Sequence, residues 1–226
     1  MSSLEHFVES RKVYFTYPQY VWAKAINRLL QAGTIPQFRS RSFIDAPCGN
    51  GIISFWLKRW NPELRIQLYD INKSSLAVAA RWVASCEPQV GNLYELDLAG
   101  DDFVWLLINS LYCLPEVHSL LGRMRKHMGY VVGLFPYVGS KNYKAYMARP
   151  GANNPCAMDK NQTMDLFVNN SYELVCEKDL THIAFLALRV ENERLVYWMK
   201  KMFNLLDPFA LGSGPYYWLA VWKRRP

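Results

Sequence analysis

The chain has 226 residues, of which 51% are hydrophobic and 20% charged. This composition excludes a disordered or fibrous polymer and allows one sizeable core. The formal net charge is +7, yet the basic residues fall in short clusters (Arg39/Arg41, Arg123/Arg125/Lys126, Lys141/Lys144, Lys200/Lys201, Lys223/Arg224/Arg225), so charge alone does not select a nucleic-acid partner.

Five cysteines without Cys-x-x-Cys spacing argue against a zinc site or a disulfide framework and for a reducing compartment. The opening Met-Ser-Ser-Leu-Glu-His lacks the pattern of a secretion signal, and no apolar stretch approaches the ~18 residues of a membrane span. A soluble, cytoplasmic protein is expected.

Residues Pro18 to Ala32 read as an amphipathic helix, with Val21, Trp22, Ala25, Ile26, Leu29 and Leu30 on one stripe and Gly33 as the stop. Residues 1–40 are expected to form a helical cap on a domain spanning 41–226. Strand and helix then alternate: strand Ser42–Ala46, helix Ile52–Trp60, strand Arg65–Asp70, a helix capped by Asn72, and a third strand over Val90–Leu96. Next come a fully apolar strand Phe103–Ile108, a helix opened by Pro115-Glu116 with Val117, Leu120, Leu121 and Met124 inward, and a fifth strand Tyr130–Phe135. That rhythm predicts βαβ units around a parallel sheet.

Beyond it, Tyr137–Gln162 reads as a loop or lid, and Thr163–Val168 as a short helix. A strand is expected at Tyr172–Glu177, with a second insert over 180–211 holding an amphipathic helix at 191–206. Pro215–Lys223 closes the sheet.

The most informative stretch is Phe43-Ile-Asp-Ala-Pro-Cys-Gly-Asn-Gly51. A strand ending in an acid, followed by a tight Gly-x-Gly turn into a helix, brings backbone close to a nucleotide. These residues resemble the first motif of class I S-adenosylmethionine-dependent methyltransferases, with Asp45 as the acid and Gly49 and Gly51 as the last two glycines. Pro47 stands where the first glycine is usual. The resemblance implies a doubly wound, mostly parallel seven-stranded α/β sheet and S-adenosylmethionine as cofactor. It places Asp45, Pro47, Cys48, Gly49 and Gly51 around that cofactor. It gives Asp70 and the adjoining Ile71 to the ribose end, and Asp97 with Leu98 to the adenine. A dinucleotide-binding oxidoreductase fits less well, because Ile52-Ile-Ser54 supplies no third glycine.

Asn109-Ser-Leu-Tyr112 follows the fourth strand, where the family holds the transferred methyl. Asn109 (which also borders the cofactor) and Tyr112 are therefore candidate catalytic residues, with His118 the candidate base. Glu116, Tyr137, Lys141, Tyr143 and His182 are further candidates at the acceptor end. Tyr14, Tyr17 and Tyr20 precede or open the N-terminal helix, which covers the cofactor in many small-molecule methyltransferases; Tyr17 is the one assigned to it. No His/Asp/Glu cluster has metal-ligand spacing. The expected activity is methyl transfer to a hydroxyl or amine of a small molecule in a biosynthetic pathway for a natural product, a sugar or the cell envelope. An RNA or protein methyltransferase is the alternative, and a non-catalytic partner subunit the third reading.

Overall fold

The computed structural model describes residues 17–83, 86, 88–96, 98, 100, 102–111, 114–138, 158–180 and 217–226. Helix α1 spans Tyr17–Gln31. It is followed by β1 (Ser42–Asp45), α2 (Ile52–Trp60), β2 (Arg65–Asp70), α3 (Lys73–Trp82), β3 (Pro88–Val90), β4 (Phe103–Ile108), α4 (Val117–Met124), β5 (Met128–Pro136), α5 (Lys160–Asn169), β6 (Tyr172–Leu180) and β7 (Tyr217–Arg224). The seven strands form one sheet in the order β3-β2-β1-β4-β5-β7-β6. Only β7 runs against its neighbours, pairing antiparallel with both β5 and β6. The order reverses between β1 and β4, and at such a switch point an open α/β sheet leaves a crevice at its carboxyl ends.

Two cores sandwich the sheet. One holds Trp22, Ala23, Ile26 and Leu30 of α1 with Phe55 and Leu57 of α2, Ala79 of α3, and Phe43, Leu106 and Leu134 from the strands. The other holds Leu120, Leu121 and Phe167 with Trp105, Leu107, Val131 and Trp222. Helix α1 thus shares a core with the sheet. It is also tied to the end of α2, because buried Asn61 donates to Asn27 Oδ1 (2.7 Å) and accepts from Gln31 Nε2 (2.7 Å).

Local chemistry sets the boundaries. Asn72 Oδ1 accepts from the Ser74 and Ser75 amides and starts α3. Asp159 and Gln162 form a reciprocal capping box, so α5 begins inside the stretch read from sequence as loop. The third strand is shorter and earlier than its apolar pattern suggests. Asn92 takes the Tyr94 amide on its side chain and the Glu95 amide on its carbonyl, and this turn competes with ladder pairing on an edge strand. The expected insert helix at 191–206 and residues 139–157 of the lid lie outside the described residues.

Candidate cofactor and acceptor site

Strand β1 delivers Asp45 into the crevice, and the chain turns at once. The Gly51 amide bonds to the Cys48 carbonyl (2.9 Å), and the Cys48 amide bonds to the Tyr69 carbonyl on β2 (2.9 Å). A third tie comes from beneath, where Trp105 Nε1 on β4 donates to the Ala46 carbonyl at 2.6 Å. A buried indole usually finds an acceptor, and here that bond ties the turn to β4.

The two glycines serve different purposes. Both have positive φ, +54° at Gly49 and +70° at Gly51. A Cβ on Gly51 would lie 2.8 Å from the Ala79 Cβ and 3.2 Å from Val83 Cγ2, so this glycine lets α3 pack against the turn. A Cβ on Gly49 would meet nothing within 4 Å. The open space above Gly49 is where a ligand can reach the backbone.

Asp70 ends β2 beside that space. Its Oδ2 accepts from the Gly49 amide (2.7 Å) and its Oδ1 from the Asn72 amide (2.8 Å). Each oxygen keeps a further lone pair, enough for a pair of ribose hydroxyls. Next to it Ile71 stands 73% exposed, an apolar side chain with no cover. Asp45 is 2% exposed and accepts from Ser54 Oγ at 2.6 Å. Burial pushes its carboxyl up to about 7; the Ser54 hydrogen bond opposes this, and the Asp70 charge adds to it. A buried carboxylate without a cation is unfavourable, and an incoming ammonium would relieve it. Open backbone, ribose-ready carboxylate, bare apolar surface and cation-seeking acid together fit an adenosyl group joined to an amino-acid tail.

The other sequence candidates divide. Asn109 follows β4, with φ +51°, and its amide bonds to the Leu134 carbonyl of β5 (2.9 Å). Its Oδ1 and the Ser110 Oγ are buried without a hydrogen-bond partner. A bound group or an ordered water would satisfy them. Tyr137, just past β5, donates to Asp179 Oδ1 at 2.6 Å. Burial and the Asp179 carboxylate push its phenol up, so it stays a protonated donor.

His118, the candidate base, has its partner elsewhere in the fold. It is exposed on α4, and its Nδ1 faces Asn170 Nδ2 at 2.7 Å, at the end of α5. Tyr172, two residues on, pairs with Arg224 at the amino end of the neighbouring strands. The imidazole is thus engaged away from the crevice. Leu98 lies 5% exposed within the second core, so its side chain faces inward. Pro47 and Cys48 form the turn, and burial with the Asp45 and Asp70 charges pushes the Cys48 thiol up, which leaves it an inert packing group. Tyr17 is the first residue of α1. Tyr20 packs edge-on against Trp56, with ring centroids 4.9 Å apart. Tyr14, Asp97, Tyr112, Lys141, Tyr143 and His182 lie outside the described residues. Glu116 caps α4 and is exposed.

Ser54 and Trp105 were missed in the sequence. The signal for Ser54 is a lone hydroxyl on the buried stripe of α2; for Trp105 it is an indole within a wholly apolar strand.

Comparison with known proteins agrees with this geometry. The model of the methyltransferase small domain family matches residues 25–102, the segment that builds the turn and its carboxylates. In fold the chain is similar to class I S-adenosylmethionine-dependent methyltransferases. A methyltransferase from Archaeoglobus fulgidus superposes with a TM-score of 0.62 at 15% identity, covering 89% of this chain and 94% of that one. The magnesium protoporphyrin IX methyltransferase of Synechocystis PCC 6803, with bound S-adenosylhomocysteine, gives 0.61 at 12% identity, with coverages of 92% and 83%. A methyltransferase from Mesorhizobium loti gives 0.58 at 15% identity, covering 87% and 96%. No curated protein matches the chain. Among the described residues, no helix is long and apolar enough to cross a membrane, and no three His, Cys, Asp or Glu side chains group to hold a metal.

Proposed function

We propose that the protein transfers the methyl group of S-adenosylmethionine to a hydroxyl or amine of a small molecule. The observation that carries the reading is the Gly49–Asp70 cradle, with its open backbone and a carboxylate already oriented by two amides. When bound, the cofactor supplies a sulfonium-activated methyl. The chain's own residues do the rest. Asp70 holds the ribose, Ile71 covers a face of the purine, and Asp45 receives the ammonium.

At the acceptor end, Asn109 Oδ1 accepts a hydrogen bond from the incoming hydroxyl or amine and orients it, and Ser110 Oγ supplies a second, neutral contact. Both sit beside the last residues of β5, through the bond from the Asn109 amide to Leu134. Positioning and exclusion of water then account for much of the rate, because the donor is already activated. Neutral lining groups of this kind suit an uncharged acceptor. A small-molecule acceptor also agrees with the Synechocystis neighbour, which is named for a porphyrin substrate.

Titration calorimetry with S-adenosylmethionine and S-adenosylhomocysteine tests the cofactor half. Micromolar binding that Asp70→Ala removes is expected, and a folded protein that binds neither ligand would overturn the reading. Radiolabelled methyl incorporation from cell extract, fractionated into small molecules, RNA and protein, then decides the acceptor. Label in the RNA or protein fraction alone would replace the small-molecule assignment.

A further inference from the structure

The sheet edge opposite the cofactor turn collects positive charge through its register. Arg65 pairs with Ser42 at the start of β1, Lys223 with Tyr130, and Arg224 with Tyr172. Arg65, the Arg125–Lys126 turn before β5, and Lys223, Arg224 and Arg225 at the end of β7 therefore stand along one edge. From β2 to β7 there are four strand intervals, a line of roughly 19 Å at about 4.8 Å per strand.

One carboxylate on the same edge, Asp102 just before β4, is paired with Arg41. Arg65 donates to the Ser40 carbonyl, and Arg224 Nη1 to the carbonyls of Arg125 and Lys126, both at 3.0 Å. The ion pairs among the described residues join Arg39 to Glu63, Arg41 to Asp102 and Lys160 to Glu177, and include none of the six. Glu173 lies opposite Lys223 in the register and is exposed. Behind the edge, Arg125 Nε and Tyr172 Oη are buried donors without an acceptor, and both guanidiniums, Arg125 and Arg224, act electrostatically on that phenol. A row of cations backed by spare donors suits a row of oxyanions. The large exposed apolar side chains of the described residues are Ile71, Val90, Val168 and Val175. None stands between these cations as the anchor that a protein partner's core would require.

We propose that this edge binds the phosphodiester backbone of a single-stranded nucleic acid. The site is separate from the cofactor crevice and does not depend on the methyl-transfer reading. The probe is a fluorescein-labelled oligouridylate of about 20 nucleotides, followed by anisotropy from about 50 to 300 mM KCl. Affinity is expected to fall with salt at a log–log slope of about −2 to −4, since each phosphate neutralised on a single strand contributes about −0.7.

The double variant Lys126→Glu/Lys223→Glu is expected to bind at least tenfold more weakly, and Arg225→Glu alone to show part of the loss. Lys73→Glu/Lys178→Glu makes the same change in net charge and leaves this edge untouched: Lys73 follows Asp70, and Lys178 pairs with Leu219 near the carboxyl ends. It is expected to stay within about threefold of the parent. Thermal unfolding checks that every variant is folded. Equal weakening by the two double variants, or no binding at the lowest salt, would overturn the proposal. Edge-dependent binding of phosphatidylglycerol vesicles without binding of the oligonucleotide would also overturn it.

Discussion

Asp45→Asn separates the role of the buried acid in stability from its role in binding. Asparagine has nearly the same shape and can still accept from Ser54 Oγ; only the ionisation is lost. An unfolded aspartate titrates near ~3.9, whereas burial pushes Asp45 up to about 7 in the folded chain. Between these values the folded state holds a proton that the unfolded state has released, so this residue lowers stability as pH rises from about 4 to 7 and then levels off. The full penalty is about 4 kcal/mol, at 1.36 kcal/mol per tenfold in proton binding, an upper bound once relaxation is allowed.

The variant is therefore expected to match the parent near pH 4 and to exceed it at pH 8 by up to about 4 kcal/mol. Urea unfolding at several pH values, with m held constant, reads the difference directly. The same change is expected to weaken binding of S-adenosylmethionine. In the parent, affinity should fall as pH drops below about 7, by at most about tenfold per pH unit, because a protonated Asp45 cannot pair with an ammonium. A stability difference that stays flat from pH 4 to 8, or a variant less stable at pH 8, would refute the reasoning. The Asp70 charge also acts on Asp45, so the comparison is best repeated in the Asp70→Asn background.

Gly51→Ala is expected to cost about 2–5 kcal/mol, from left-handed backbone plus the collision with Ala79 and Val83. Gly49→Ala should cost only about 1–2 kcal/mol and yet abolish cofactor binding, because its methyl enters the open space. Denaturation and calorimetry on the pair distinguish packing from ligand approach. Trp105→Phe strands the buried Ala46 carbonyl and should destabilise by about 1–3 kcal/mol, with weaker cofactor binding through a looser turn. Cys48 should label slowly with iodoacetamide at pH 8, since burial and two neighbouring carboxylates keep its thiol protonated; mass spectrometry of the labelled peptide checks this.

Hydrophobic periodicity and turn chemistry, both local properties, were legible in the chain. Helix α2 and strands β2 and β4 have the ends expected from their patterns, because Gly51, Asn61-Pro62, Asp70 and Asn109 punctuate them within a few residues. The turn proposed to hold the cofactor was legible as a turn for the same reason: its acid and glycines are adjacent in sequence, and Asp70 closes the next strand. Local patterning failed where two local forces compete. The apolar pattern through Leu93, Tyr94 and Leu96 resembles a strand, yet the Asn92 turn prevails on an edge with a single neighbour.

Other features depended on distant parts of the chain meeting. The bond from Trp105 to Ala46 joins residues 59 positions apart, and that between His118 and Asn170 joins residues 52 apart. No pattern near His118 indicates that an amide from α5 will hold its ring, so only the packed structure separates it from Asn109. The charge clusters show the same division. In sequence they are scattered pairs and triplets; parallel pairing of β2, β1, β4 and β5 and the antiparallel return of β7 align those at Arg65, Arg125 and Lys223 along one edge. A side chain's periodicity states which face it takes, but only the tertiary contacts decide what lies opposite.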